Sequence, residues 1–319
     1  MVNNMSIVVI FCLIIFGIVS FIGILGNGFI LVVNGHQWFQ NRKMIPSDFL
    51  LTSLSTSRFI VQLSLLMNCI LYIIVNIELH LFLSDVIFFS WMFFNMTSHW
   101  CATWLSIFYC IKVTNFANPL FLWLKARINV LVPRLLGLSI AIFMVSCLPL
   151  LVDCIGHTKW CNLTETLPKN ASQRELCGNA AIIFLPIQFP FYVLNLGLST
   201  IAIILLLVSL WRHTRNLKKS GVGVKDFSTQ VHIKVMKFLL FWFFFYFVDF
   251  IGVIVYAIIN YTEGNFTTVQ GLLIGIWMSA FPSAHSIILI LTNPNLKEMC
   301  IRLIKEMYSH IISIGHSTS

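Results

Sequence analysis

The chain has 319 residues, 58% hydrophobic and only 10% charged, with a mean hydropathy of +0.90 and a net charge of +9. A soluble fold carries charge on about a quarter of its positions, so there is too little polar residue here to wet a water-soluble surface. A soluble enzyme and a soluble nucleic-acid-binding domain are both excluded.

Seven apolar blocks follow one another, at 7–33, 48–75, 85–111, 130–152, 180–210, 238–260 and 268–291. Each reaches the roughly 20 residues needed to cross a hydrocarbon core about 30 Å thick. The sequence therefore predicts an all-α membrane protein, a seven-transmembrane-helix bundle. The first block has no basic segment before it and runs too long for a cleaved leader, so it is expected to stay as a signal-anchor helix. It carries Asn27 in "LGNGFI". The second block carries Arg58 in "LTSLSTSRF", at a depth that costs about 2.5–3.5 kcal/mol unless the side chain faces the interior and finds acceptors. Asn27, Ser55, Ser283, His285 and Ser286 are the expected acceptors. The third block holds Asn95 and His99, the fifth holds Asn195 with Pro186 and Pro190, and the seventh holds Pro282 within "PSAHS". Polar groups in hydrocarbon are functional candidates by default, with a static interhelical network as the bland alternative. The pair Gly271 and Gly275 reads as close helix packing.

The sixth block contains "FWFFFYFVDFIGVIVYAII", nineteen positions interrupted by one acid, Asp249. Two readings stand. Asp249 is either a neutral donor in an internal network or an ionised partner for a cationic ligand.

The connections set the topology. Segments 34–47, 112–129, 211–237 and 292–319 hold fifteen Lys and Arg, against Lys159, Lys169 and Arg174 in the other set. By the positive-inside rule the N-terminus is expected outside and the C-terminus in the cytoplasm. The basic surplus is then a matter of topology and bilayer contact, and no nucleic-acid partner is expected. Sequons at Asn4, Asn162, Asn170, Asn260 and Asn265 fall on the predicted outer side, while that at Asn95 lies within the third block.

Nine scattered cysteines show no metal spacing, so neither a metal nor a cofactor is expected. Cys154, Cys161 and Cys177 of the second outer loop leave any disulfide pairing open. Cys300, near the predicted inner membrane face, is a candidate for acylation. No HExxH, G-x-S-x-G, GxGD or Walker motif occurs in the blocks, and the chain is read as no enzyme. Seven helices cannot form two equal inverted halves, which argues against many transporter plans.

Seven helices with an outer N-terminus suggest a G-protein-coupled receptor, yet the rhodopsin-like signatures are absent. In their places stand "WLSIFYCIKVTNFANPLFLWLK" from 104 and "FPSAHSIILILTNPNLK" from 281, together with "LTSLSTSR", "SLWRHTRNLK" and "STQVHIKVMK". With these segments the sequence resembles the bitter taste receptor family (type 2 taste receptors) over almost its full length. One departure is "TNPN", where the family usually has Gly-Asn and lysines.

The resemblance implies a single receptor domain over 1–319 with a short cytoplasmic tail at 292–319, in the plasma membrane. It implies small bitter agonists and a heterotrimeric G protein of the gustducin/Gi type as partners. Trp91 and Asn95 match ligand-lining positions, four apart on one helical face. Asn162 matches the family's glycosylation site, and Tyr109, Lys112 and His232 match its G-protein-facing side. Asp249 stands where the family usually has an aromatic residue, often Tyr, and at its depth it joins the expected pocket floor. Asn27, Arg58, His285 and Ser286 are the expected signal network. The rival readings are a pheromone receptor of the vomeronasal type 1 kind and a non-receptor transporter or scaffold.

Overall fold

The computed structural model describes residues 6–41, 45–74, 77–114, 119–163, 180–219, 227–262 and 267–317. Among them there are eight helices and no strand. These are α1 (Ile7–Asn41), α2 (Pro46–Ile74), α3 (Ile77–Val113), α4 (Pro119–Leu163), α5 (Ala180–Lys219), α6 (Phe227–Thr262), α7 (Thr268–Thr292) and α8 (Pro294–Ser317). Asn4, Asn170, Asn265 and Cys177 lie outside the described residues, as do the side chains of His232, Asn162, Asn260, Cys154 and Cys161.

The helices α1, α2, α4, α5 and α7 each contain a stretch long and apolar enough to cross a membrane, and α6 contains the shorter apolar stretch Phe243–Tyr256. Helix α1 shows what sort of bundle this is. Its buried face runs through Cys12, Phe16, Ser20, Asn27, Ile30 and Asn34, while Phe11, Ile14, Ile18, Phe21, Leu25 and Val32 are exposed. Polar groups point inward and large apolar groups outward, both at helical spacing. That is the reverse of a water-soluble helix and suits a lipid solvent.

Most helices outrun the apolar blocks that foretold them. Helix α4 begins eleven residues before its block and α6 also eleven before, since 130 − 119 = 11 and 238 − 227 = 11. The hydropathic window marks only the part that needs hydrocarbon. A formed helix adds one hydrogen bond for each further residue fixed, so it propagates past that window. The expected tail at 292–319 is likewise mostly helix, α8. Its Leu296 packs on Ile30 and Val33 of α1, while Ile301, Leu303, Ile304, Met307 and Tyr308 stay exposed.

Helix α3 is the axis of the bundle, in contact with α2, α4 and α5. Trp91, Met92, Met96, Trp100, Cys101, Phe108 and Ile111 on it all belong to the main core. Helix α1 packs chiefly on α7, and the fit there depends on small residues. A Cβ on Gly23 would meet Ser283 Oγ and Gln62, one on Gly26 would meet Ser286 Oγ, and one on Gly275 would lie 3.1 Å from the Phe16 ring. The capping box of α7, formed by Thr267 and Gln270, fixes where that helix starts.

Candidate functional site

Buried polar residues in this bundle are not scattered. Along α3, Trp91, Asn95, His99 and Thr103 recur every four residues and so share one slowly winding face. Along α5, Gln188, Tyr192, Asn195 and Ser199 are each 0–2% exposed and fall on one face too. Tyr246, Asp249, Val253 and Tyr256 form the facing stripe of α6. Together the three stripes build a column down the middle of the bundle.

The column has levels. At the first, the Trp91 ring lies 5.7 Å from Phe88 and 6.0 Å, edge-on, from Tyr256. One turn along, Asn95 Nδ2 donates to the Tyr192 hydroxyl at 2.6 Å. At the third level His99 Nε2 lies 3.3 Å from Asp249 Oδ2. The contact has ion-pair distance without hydrogen-bond alignment. The His99 ring sits between Tyr192 (4.9 Å, edge-on) and Tyr246 (5.3 Å). At the fourth, Thr103 Oγ1 donates to Asn195 Oδ1 at 2.9 Å and lies 2.9 Å from Ser199 Oγ. Tyr246 hydrogen-bonds both Thr103 and Ser199, which links the third level to the fourth.

Asp249 meets a group that neither reading of the sequence named. It has a partner, supplied by a residue 150 positions away (249 − 99). Sequence proximity carries no trace of such a pair.

Arg58 also departs from expectation. It is 2% exposed, but its Nε and Nη1 bond to none of the acceptors named for it. Its guanidinium lies 4.9 Å from the centre of the Phe281 ring, a cation–π contact of the kind that gains strength away from water. It also interacts electrostatically with Asp249 and with His285. Asn27 and Ser286 are engaged elsewhere: Asn27 Nδ2 donates to Gly23 O (2.9 Å) and Pro282 O (3.4 Å), and Ser286 Oγ donates to Ser283 O (2.8 Å).

The residue that ties α2 to α7 is one the sequence reading missed, Gln62. Its Nε2 donates to Ser279 O at 2.9 Å and to Ser283 Oγ at 3.1 Å, and Ser20 Oγ meets Ser279 Oγ at 3.4 Å. The available signal was Gln62 following Arg58 by four, on the same face.

At the far end of α3, Tyr109 is 40% exposed and Lys112 Nζ lies 5.6 Å from the Phe108 ring. Lys125 of α4 donates to Thr114 O at 3.1 Å. Arg127 rests over Trp123 and Arg215 over Trp211, at 5.1 and 5.8 Å. Cys110 packs on Ala202, Leu206 and Leu210 of α5, which brings the basic end of α5 to the same end of the bundle. The charged groups of Lys112, Arg127 and Arg215 there sit over aromatic rings, in cation–π contacts. Trp91 and Lys112 are therefore at opposite ends of the bundle. Among the described residues no group of three or more potential metal ligands occurs.

A family profile described as taste receptor protein matches residues 1–307. The chain is 35% identical over 296 residues to mouse (Mus musculus) taste receptor type 2 member 7, covering 89% of this chain and 91% of the relative. It is 33% identical over 305 residues to taste receptor type 2 member 42 of Pongo pygmaeus, covering 93% and 94%. With human (Homo sapiens) taste receptor type 2 member 2 it shares 30% over 290 residues, covering 89% and 92%. A profile match over nearly the whole chain, on a helical bundle that buries its polar groups, leaves one assignment: the protein belongs to the type 2 taste receptor family of seven-transmembrane-helix receptors.

Proposed function

We propose that this protein is a plasma-membrane chemoreceptor for bitter small molecules that activates a heterotrimeric G protein of the gustducin/Gi type. The N-terminus and the Trp91 end of the bundle face outward, and the Lys112 end faces the cytoplasm. The single receptor domain spans residues 1–319, with α8 at the inner face. Agonists enter at the Trp91 end and are read by Trp91 and Asn95, with Asp249 as the deeper group. Tyr109, Lys112 and His232 face the G protein. Asn27, Arg58, His285 and Ser286 belong to the network that carries the change between the ends. Asn162, with Asn4, Asn170, Asn260 and Asn265, supplies the glycan acceptors.

The observation that carries this reading is the column of polar contacts that runs from Asn95, next to Trp91, through His99 and Asp249 to Thr103 and Ser199 in the middle of the bundle. An apolar site with few, well-placed polar groups is how small-molecule pockets gain orientation. A ligand shifts a receptor only by binding one arrangement better than another. A column of interhelical contacts next to the pocket gives it something to discriminate.

The test is expression of the chain with a promiscuous Gα subunit and a screen of structurally diverse bitter compounds for calcium release. At least one compound should give a saturable dose response, and Asp249→Asn should change the potency of amine agonists by about tenfold, equivalent to about 1.4 kcal/mol. Silence against every compound at verified surface expression would rule the reading out.

A further inference from the structure

Asp249 stands among basic groups from three helices, and the structure satisfies them unequally. His99 of α3 is in contact with it at 3.3 Å. Arg58 of α2 lies within electrostatic reach of it, but no contact at ion-pair distance joins the two. Arg58 keeps Nε and Nη1 buried and without a hydrogen-bond partner. The groups facing this cluster are Cys101 of α3, Tyr192 of α5, Tyr246 of α6, and His285 with Phe281 of α7. Asp249 is the only carboxylate in that set.

A buried cation with unused donors, beside a carboxylate held by another partner at imperfect alignment, is the makeup of a two-state element. Arg58 and the carboxylate would gain charge-assisted hydrogen bonds on meeting. His99 would lose one loose contact but keep both tyrosine rings around it. Exchange of one basic partner for another keeps the buried carboxylate beside a basic group in both arrangements, so neither is prohibitive for it.

We propose that Asp249 is a two-position switch. In the arrangement seen here it binds His99 and ties α6 to α3, and in the other it binds Arg58 and ties α6 to α2. His99 lies one turn below Asn95, so a ligand that displaces α3 or the Asn95–Tyr192 bond bears directly on the His99 contact. The signalling consequence rests on the receptor reading above, but the exchange itself does not.

The experiment is a variant cycle with two readouts, ligand-independent G-protein activation at matched surface expression and the thermal midpoint of the detergent-purified protein. His99→Phe keeps a ring between Tyr192 and Tyr246 and removes the first partner, and should raise basal activation about three- to tenfold. Adding Arg58→Gln or Asp249→Asn to it should return activation to the parent level or below. In the thermal cycle, the non-additivity of Arg58→Gln and Asp249→Asn should at least double in the His99→Phe background. Where Arg58→Gln fails to fold, Arg58→Lys, which keeps the charge but loses the planar fork, should retain part of the His99→Phe gain. A gain that survives Asp249→Asn overturns the proposal, as does a non-additivity indifferent to His99. Loss of every G-protein signal with the thermal cycle intact would overturn the receptor reading and leave the switch standing.

Discussion

Gly26→Val should leave little folded protein at the cell surface and should lower the thermal midpoint of what can be purified by several degrees. In a bilayer, helices are as apolar as the lipid around them, so close packing and interhelical hydrogen bonds hold them together. The α1–α7 contact is built for closeness. Ser279, Ser283 and Ser286 on α7 are 0–4% exposed, and the space a Cβ would need at Gly26 is taken by Ser286 Oγ and Cβ. A valine must push α7 away, at the roughly 1–3 kcal/mol typical of overpacking. The same displacement weakens the Asn27 bond to Pro282 O and the Gln62 bonds to Ser279 O and Ser283 Oγ, each worth about 0.6 kcal/mol on average in membranes. Gly26→Ala should be milder, because Ser286 Oγ can rotate aside. Gly17→Val and Gly137→Val are the controls, since nothing lies within 4 Å of a Cβ at either, and both should melt like the parent. Parent-like melting of Gly26→Val would show that α1 and α7 are not apposed as described.

The second large effect is expected at Asn95. Asn95→Leu removes the donor to the Tyr192 hydroxyl and leaves that hydroxyl, on a side chain 2% exposed, without its partner. A buried polar group so orphaned costs about 1–3 kcal/mol. If agonists are read at this level, potency should fall about 10- to 100-fold, which corresponds to about 1.4–2.7 kcal/mol. Tyr192→Phe separates the causes. It removes the same hydrogen bond from the other side and leaves the amide free for a ligand, so it should cost less than Asn95→Leu. The double variant should cost about as much as Asn95→Leu alone. Dose–response curves at matched surface expression measure all three. Equal loss in the two single variants would assign Asn95 a purely structural role, and no loss in either would remove this level from the pocket.

Much of this could be read in the sequence, and for a physical reason. The cost of polar backbone and side chains in hydrocarbon forces long apolar helices, so seven blocks were visible as blocks. It also makes each interior polar residue conspicuous: Asn27, Arg58, Asn95, His99, Asn195, Asp249 and His285 stand out from their surroundings, and all seven prove buried or partly buried. What the sequence does not carry is pairing. Arg58 was matched with neighbours that its Nε and Nη1 do not bond, and neither reading of Asp249 named His99, because that partner lies three helices earlier in the chain. The every-four repeat Trp91, Asn95, His99, Thr103 was readable in full, yet Thr103 resembles any threonine in a membrane helix until Asn195 and Ser199 are seen opposite. Gln62 was passed over for the same reason. Helix α8 escaped notice because its alternating Lys, Glu and apolar residues fall below any spanning threshold while remaining well suited to an amphipathic helix.

The receptor reading joins two ends of one column, Trp91 at one and Lys112 at the other. The most direct measurement is nucleotide exchange on a purified gustducin/Gi-type heterotrimer by the receptor in lipid nanodiscs, with and without an agonist from the calcium screen. Agonist should accelerate exchange several-fold. Asn95→Leu at the ligand end should shift the agonist dependence of that acceleration about 10- to 100-fold to higher concentration, and Lys112→Glu at the opposite end should abolish it without altering agonist binding. Exchange that is indifferent to agonist, or acceleration that survives both substitutions unchanged, would contradict the account.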